Sequence, residues 1–287
     1  MIEGETPVEY VGYLTDLLGD RAVTELEEAV VAATPLFLSL HFTAPHWPWE
    51  GPDDLAISKG IEDPLHTNGG NLDTYAKMVE SMDHNIGKVL SAIDRLGIAN
   101  NTIVVFTSDN GGERFSDVWP FTGAKTELLE GGIRVPIIIR WPGRIPAGST
   151  SDQMMISMDF VPTFIAAAGG APASRMPLDG ENLLPILTGR SPKMDRELYW
   201  RYNFAGQAAV RIGDWKYLKL AGTEYLFNLV EDQRERANLK EIFPEKFEYL
   251  KNKFSTWNSN MLPYNDNNYS HSGVEVMPDR YRAKRPD

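Results

Sequence analysis

Cysteine is missing from all 287 residues. Its absence excludes disulfide staples, thiolate metal ligands and a cysteine nucleophile together. Long apolar runs are missing as well. The best window, residues 29–40, is broken by Thr34 and Pro35 and falls short of a bilayer-spanning segment, so a soluble chain is expected. Positive charge is scarce: 28 Lys and Arg stand against 40 Asp and Glu, a formal charge of -12. Proteins that hold phosphate backbones carry an excess of basic residues, so no nucleic-acid partner is expected. A small anion remains possible, because a few local cations set the field inside a cleft whatever the sign of the whole surface. The opening residues Met1-Ile2-Glu3-Gly4-Glu5 lack the basic and apolar stretches of a signal peptide, and none is expected in the chain as given.

The chain is 42% hydrophobic, with seven Trp and twelve Phe, enough to bury a sizeable core. In residues 10–31, Leu14, Leu17, Leu18, Ala22, Leu26, Ala29 and Val30 recur at helical spacing, which predicts an amphipathic helix. The apolar run at residues 36–42, bounded by Pro35 and Pro45, suits a strand covered on both faces. A second helix is predicted over residues 73–96, where Met78, Met82, Ile86, Val89, Ile93 and Leu96 form one stripe and Gly97 stands at the C-cap. Residues 102–106 form the next apolar run. Strand, helix and strand in this order predict a βαβ unit with a right-handed crossover and parallel pairing.

A further strand is expected over residues 135–140, with Pro136 marking either a sheet edge or the start of the strand. Asp159 is placed to start a helix through Ala168, with Pro162 tolerated in its first turn. From about residue 190 the pattern changes. Four short stretches, residues 197–202, 208–212, 215–220 and 225–229, are separated by turn residues and read as an antiparallel meander. A helix over residues 244–261 is expected to pack on it, and residues 265–287 form a polar, Asn-rich tail.

Three loops can carry chemistry. Ser108-Asp109-Asn110-Gly111-Gly112 follows a predicted core strand, where ligand groups collect beyond the carboxyl ends of a parallel sheet. Asp109 and Asn110 are hard oxygen donors that suit Ca²⁺ or Mg²⁺ far better than zinc. Standing alone, Asp-Asn-Gly-Gly is more commonly an ordinary turn. Ala44-Pro45-His46-Trp47-Pro48 fixes an imidazole between prolines, able to donate to an anionic oxygen or protonate a leaving group, although an isolated His is more often structural. Trp47 and Trp49 beside it can stack on a sugar or aromatic ring, or simply pack. Gly123-Ala124-Lys125-Thr126-Glu127 offers an ammonium that can hold a tetrahedral anion, and Glu130-Gly131-Gly132-Ile133-Arg134-Val135-Pro136 follows it. Most loop lysines are merely solvated. His41, His66, His84 and His271 have no comparable setting. Asn100 and Asn268 begin N-x-[ST] triplets, which matter only in an exported chain. Ser108-Asp109-Asn110 lacks the S-x-x-K and K-T-G companions of penicillin-binding enzymes.

In this order the motifs resemble the type I sulfatases of the alkaline-phosphatase-like superfamily, with the arylsulfatase A and N-acetylgalactosamine-6-sulfatase branch as the nearest likeness. The resemblance runs over residues 10–262 and takes in Ser157-Met158-Asp159-Phe160-Val161-Pro162-Thr163 and Asp179-Gly180. It implies an α/β fold with a mostly parallel sheet flanked by helices and a smaller C-terminal antiparallel sheet plus helix. Residues 1–189 would be the C-terminal part of the catalytic domain, 190–264 the small subdomain, and 265–287 the tail. By the same resemblance, Asp109 and Asn110 match oxygen ligands of a single calcium ion, ahead of magnesium. His46 matches a histidine near the sulfate and leaving group and Lys125 a sulfate-binding lysine; Trp47 is expected as a substrate contact from its place beside His46. In the family a hydrated formylglycine attacks sulfur, releases the alcohol and then expels sulfate.

This sequence departs from the family at the nucleophile. The C/S-x-P-x-R motif that gives formylglycine is not among these residues, and the resemblance matches no residues here to the Asp-Asp metal pair that accompanies it in the family. The resemblance therefore implies a half-formed calcium site, weak or no activity in the chain alone, and an open sheet edge that invites a complementing chain or a homo-oligomer. The implied substrate is a small aryl or carbohydrate sulfate. A non-catalytic binding subunit and a phosphate or phosphonate ester hydrolase are the alternatives. Relatives are commonly periplasmic, secreted or lysosomal, and the localisation of this chain is left open.

Overall fold

The computed structural model describes residues 1–264 apart from 64, 65, 67 and 174; the expected polar tail and Asn268 lie outside the described residues. The chain divides into two compact units, whose described parts are residues 1–102 and 103–264.

The first unit begins with a short antiparallel pair, β1 (Ile2–Glu3) and β2 (Thr6–Pro7). Three helices follow, α1 (Leu14–Val31), α2 (Leu55–Ser58) and α3 (Leu72–Arg95). The periodicity at residues 10–31 and 73–96 is thus realised as α1 and α3. Asn71 caps α3 by accepting from the Thr74 N–H at 2.9 Å. At the other end Gly97 takes a φ of +70°, a conformation that Cβ-bearing residues avoid, and turns the chain out of the helix. The two long helices meet where small residues allow it: a Cβ on Gly19 would fall 2.3 Å from the side chain of Asn85. Asn85 is fully buried and donates to Asp16 at 2.6 Å. Lys88 pairs with Asp20 at 2.7 Å and Arg95 with Glu27 at 2.6 Å, lacing the outer seam.

In the second unit, β3 (Val104–Thr107), the short helix α4 (Glu130–Ile133) and β4 (Ile137–Arg140) come first. Next are α5 (Phe160–Ala167), α6 (Leu184–Leu187), four strands β5 (Glu197–Tyr202), β6 (Gln207–Ile212), β7 (Trp215–Leu220) and β8 (Thr223–Asn228), and α7 (Pro244–Ser259). The four aromatic-rich stretches are the strands of one antiparallel sheet in the order β5-β6-β7-β8. Its two faces are both covered. Ala209, Leu218 and Phe227 meet Leu128 and Leu129, while Ala208, Val210, Tyr217 and Leu226 meet Phe247 and Leu250 of α7. The alternation of side chains along a strand produces this division directly.

The expected mostly parallel sheet is not what the chain forms. β3 pairs with β4 antiparallel, Val104 opposite Arg140 and Thr107 opposite Ile137, and every sheet among the described residues is antiparallel. The expected βαβ unit fails at its first member. Residues 36–42 adopt no strand, and Leu36, Phe37 and Leu38 are exposed. An apolar run records a tendency to be buried, but the ladder partner is chosen by tertiary contact, and pairing between β3 and β4 needs only a chain reversal rather than a crossover helix. The reversal spans the loop between them, where the Thr107 hydroxyl donates to the Pro136 carbonyl at 3.0 Å.

Asp159 opens the segment leading into α5, and its role is structural. It is fully buried, paired with both terminal nitrogens of Arg196 at 2.6 and 2.9 Å. It also accepts the N–H groups of Ile156 and Glu181 at 2.8 Å each. Burying a carboxylate is tolerated because each oxygen is met by a donor and the charge is balanced.

Candidate functional site

The two loops that carry Asp109 and Lys125 are fastened to each other through the backbone. The Gly111 N–H donates to the Gly132 carbonyl at 2.8 Å, the Lys125 N–H to the Gly112 carbonyl at 2.9 Å, and the Gly131 N–H to the Thr122 carbonyl at 2.7 Å. Glycine is required by proximity here. A Cβ at Gly111 would stand 1.8 Å from the Gly131 oxygen, and one at Gly132 would stand 2.0 Å from the Glu127 oxygen. No side chain fits such spaces, so the Gly-Gly pairs at 111–112 and 131–132 are what lets three turns of backbone lie in contact.

From this platform Asp109 projects exposed and Asn110 half-buried. The Ser108 hydroxyl donates to the Asn110 carbonyl at 2.9 Å, closing the turn that presents them. Lys125 is largely buried, and its Nζ stands 3.2 Å from a carboxylate oxygen of Glu113. Glu113 belongs to the same loop as Asp109. The sequence singled out the lysine and passed over this acid, because only the fold brings residues 113 and 125 together.

His46 lies in the first unit, on the turn from Ala44 to Trp49, and is exposed. Its Nδ1 stands 2.8 Å from the Trp47 carbonyl oxygen. A carbonyl only accepts, so Nδ1 carries the hydrogen of this contact. The ring lies 4.3 Å from that of Trp47, tilted 47°. Trp47 is half-buried. Trp49, by contrast, is only 1% exposed, packs 6.1 Å from the Tyr75 ring and donates its backbone N–H to His66 Nδ1 at 3.0 Å. It is a core residue of the first unit and has no open ring face for a substrate. His66, passed over in the sequence, orders that turn.

Among the described residues no group of three or more His, Cys, Asp or Glu is arranged to hold a metal ion. The Asp109 and Asn110 oxygens have the right chemistry for a hard cation, but two donors fall well short of the roughly six to eight that calcium takes.

A model of the sulfatase family matches residues 3–171. The chain belongs to that family. A second model, described as N-sulphoglucosamine sulphohydrolase, C-terminal, matches residues 124–256, so the meander and its helix are a sulfatase C-terminal subdomain. Mouse steryl-sulfatase is 33% identical over 218 residues, covering 72% of this chain and 32% of the relative. Dog N-acetylgalactosamine-6-sulfatase is 40% identical over 148 residues, covering 50% and 28%. The chain thus spans about a third or less of the length of these sulfatases. Among solved structures, Ps i-CgsB in complex with k-i-k-neocarrahexaose superposes with a TM-score of 0.79 at 31% identity, over 88% of this chain and 56% of that one. Ps i-CgsB in a second crystal structure gives a TM-score of 0.78 at 27% identity, over 96% and 59%.

Proposed function

We propose that this sulfatase-family chain carries part of the substrate site of a sulfuric ester hydrolase acting on a carbohydrate or aryl sulfate monoester. The observation that supports the reading most is the glycine-mediated contact that holds the Asp109-Asn110 turn against the Lys125 loop. In this reading Lys125 binds the sulfate oxygens, where charge accumulates as the S–O bond to the alcohol breaks. Glu113 holds the ammonium in place until the anion arrives. For His46, in the first unit, the reading proposes a role of its own, proton donor to a departing alcohol oxygen, with Trp47 beside it as a contact for the alcohol portion. Asp109 and Asn110 would supply two oxygens to a calcium ion, whose charge would offset that of the sulfate. A sulfated carbohydrate is favoured by the likeness to a structure solved with a neocarrahexaose. Residues 1–189 serve as part of the catalytic domain and 190–264 as its C-terminal subdomain.

The nucleophile that such a reaction needs has no precursor among these residues, since no cysteine and no S-x-P-x-R sequence is present. The chain alone is therefore expected to bind inorganic sulfate and to turn over an aryl sulfate weakly or not at all. Calorimetric titration of the purified chain with sodium sulfate tests the first part. The reading expects Lys125→Ala to weaken binding about tenfold or more, the scale of one charge-assisted contact. Equal sulfate affinity in the two proteins would remove Lys125 from the site. Equal calcium affinity in the native chain and Asp109→Ala would remove the proposed metal role. Vigorous turnover abolished by Lys125→Ala would show instead that the nucleophile is supplied from within the chain.

A further inference from the structure

The Lys125 loop is gripped from the C-terminal sheet by side chains far away in sequence. Gln207, at the start of β6, is 2% exposed. Its Nε2 donates to the Thr126 carbonyl at 2.8 Å and to the Phe204 carbonyl at 3.1 Å, while its Oε1 accepts the Leu128 N–H at 2.9 Å. Thr126, the residue after Lys125, has a φ of +73°, a conformation a β-branched residue adopts only when its surroundings impose it. The amide of Gln207 holds the carbonyl of that strained residue.

A few residues on, the loop is held a second time. The Glu130 N–H donates to Glu235 at 2.6 Å, and the Glu130 carboxylate stands 2.9 Å from Lys216 Nζ, which is 2.8 Å from Glu235. All three side chains are at most 1% exposed. Leu128 and Leu129 are packed between the two grips against Ala209, Leu218 and Phe227.

We infer that Gln207 is a positioning residue for Lys125, with the Glu130–Lys216–Glu235 network as its second anchor, so that the C-terminal sheet sets where the sulfate-binding ammonium stands. The inference builds on the role proposed for Lys125. The physical case is that a loop of small and strained residues does not keep one geometry by itself. Buried hydrogen bonds to a rigid sheet fix it, and an amide that both donates and accepts fixes two successive turns at once. A merely stabilising role would be interchangeable with other core contacts, and this one is not: the other face of the same sheet packs on α7 through Phe247, away from the loop.

The test compares Gln207→Leu with Phe247→Ala, using sulfate affinity by calorimetry and amide hydrogen exchange in the whole chain. In Gln207→Leu, the Lys125 and Gly131 amides are expected to exchange about tenfold faster relative to those of β6 and β7, the loss of one or two buried hydrogen bonds. Sulfate binding should weaken by a similar factor. Phe247→Ala should lower the melting temperature at least as much while leaving the relative loop exchange and the sulfate affinity unchanged. Gln207→Glu, which keeps the acceptor for Leu128 but loses the donor to Thr126, gives the same comparison should the leucine variant not fold. Unchanged relative exchange at Lys125 and Gly131 overturns the inference, as does an equal loss of sulfate affinity in Phe247→Ala. A native chain that binds no sulfate defeats the role proposed for Lys125, and the exchange comparison still decides whether Gln207 orders the loop.

Discussion

The β3–β4 ribbon and the β5–β8 meander are made of similar residues and reach different ends. In the ribbon, Phe106 lies opposite Ile138, and both are exposed, Ile138 at 62%. In the meander, the equally apolar Ala209, Val210, Leu218 and Leu226 are at most 1% exposed, since the loop covers one face and α7 the other. A strand's apolar content therefore says little about how well it is buried. What matters is whether an element is at hand to cover each face, and the meander has two within its own unit.

The meander also buries charge, which the ribbon does not. Lys216 lies fully enclosed between Glu130 and Glu235, with Arg211 at 3.4 Å from Glu130 and Arg134 at 3.6 Å. The sharpest way to break the contrast is Lys216→Met. It leaves two enclosed carboxylates facing each other without the ammonium, and chemical denaturation should show a loss of about 3–5 kcal/mol. A change of less than about 1 kcal/mol would mean that the arginines alone suffice.

Next in size is a pair of truncations. Leu218→Ala should destabilise by about 2–5 kcal/mol because a cavity opens between loop and sheet. Ile138→Ala in the ribbon should stay within about 0.5 kcal/mol, as expected of a surface position. Similar losses for the two would contradict the difference in burial.

The smallest effect is one of pH. Burial pushes the Glu235 carboxyl above its ordinary range, and Lys216 only partly offsets this. Burial also works against the charged form of Glu130, but Lys216, then Arg211 and Arg134, outweigh it and hold its carboxyl below the ordinary range. The signs are opposite. An acid with a raised value in the fold contributes stability that is complete below its unfolded value and is lost as pH rises through the folded one. An acid with a lowered value contributes stability above its unfolded value that is lost as pH falls through the folded one. Glu235→Gln, which keeps an oxygen for the Glu130 N–H, should therefore flatten the decline of melting temperature above about pH 5 and leave the acid limb in place. An unchanged alkaline slope would show that Glu235 is not the group responsible.

Much of the local structure was legible. The stripes at residues 10–31 and 73–96 became α1 and α3, and the four aromatic stretches became β5 to β8, because period and turn residues are local signals. The parallel pairing was misread, since residues 36–42 are as apolar as β3 yet form no strand. In the candidate site, Asp109, Asn110 and Lys125 stood out by residue type and neighbouring glycines. Glu113, Gln207 and Lys216 did not, for nothing near them in the chain announces a partner 12, 81 or 86 residues away.

By itself the sequence determined where the longer helices and the meander strands run, which family the motifs resemble, and which residue types are on hand for an anion and a hard cation. These follow from spacing and side-chain chemistry within a few residues. Only the tertiary structure decided that β3 and β4 run antiparallel, that Trp49 is enclosed, and that a glutamine and a buried lysine of the C-terminal sheet hold the Lys125 loop. Pairing and enclosure depend on which distant segments meet, and backbone hydrogen bonds and burial carry no mark of that choice in the local order of residues.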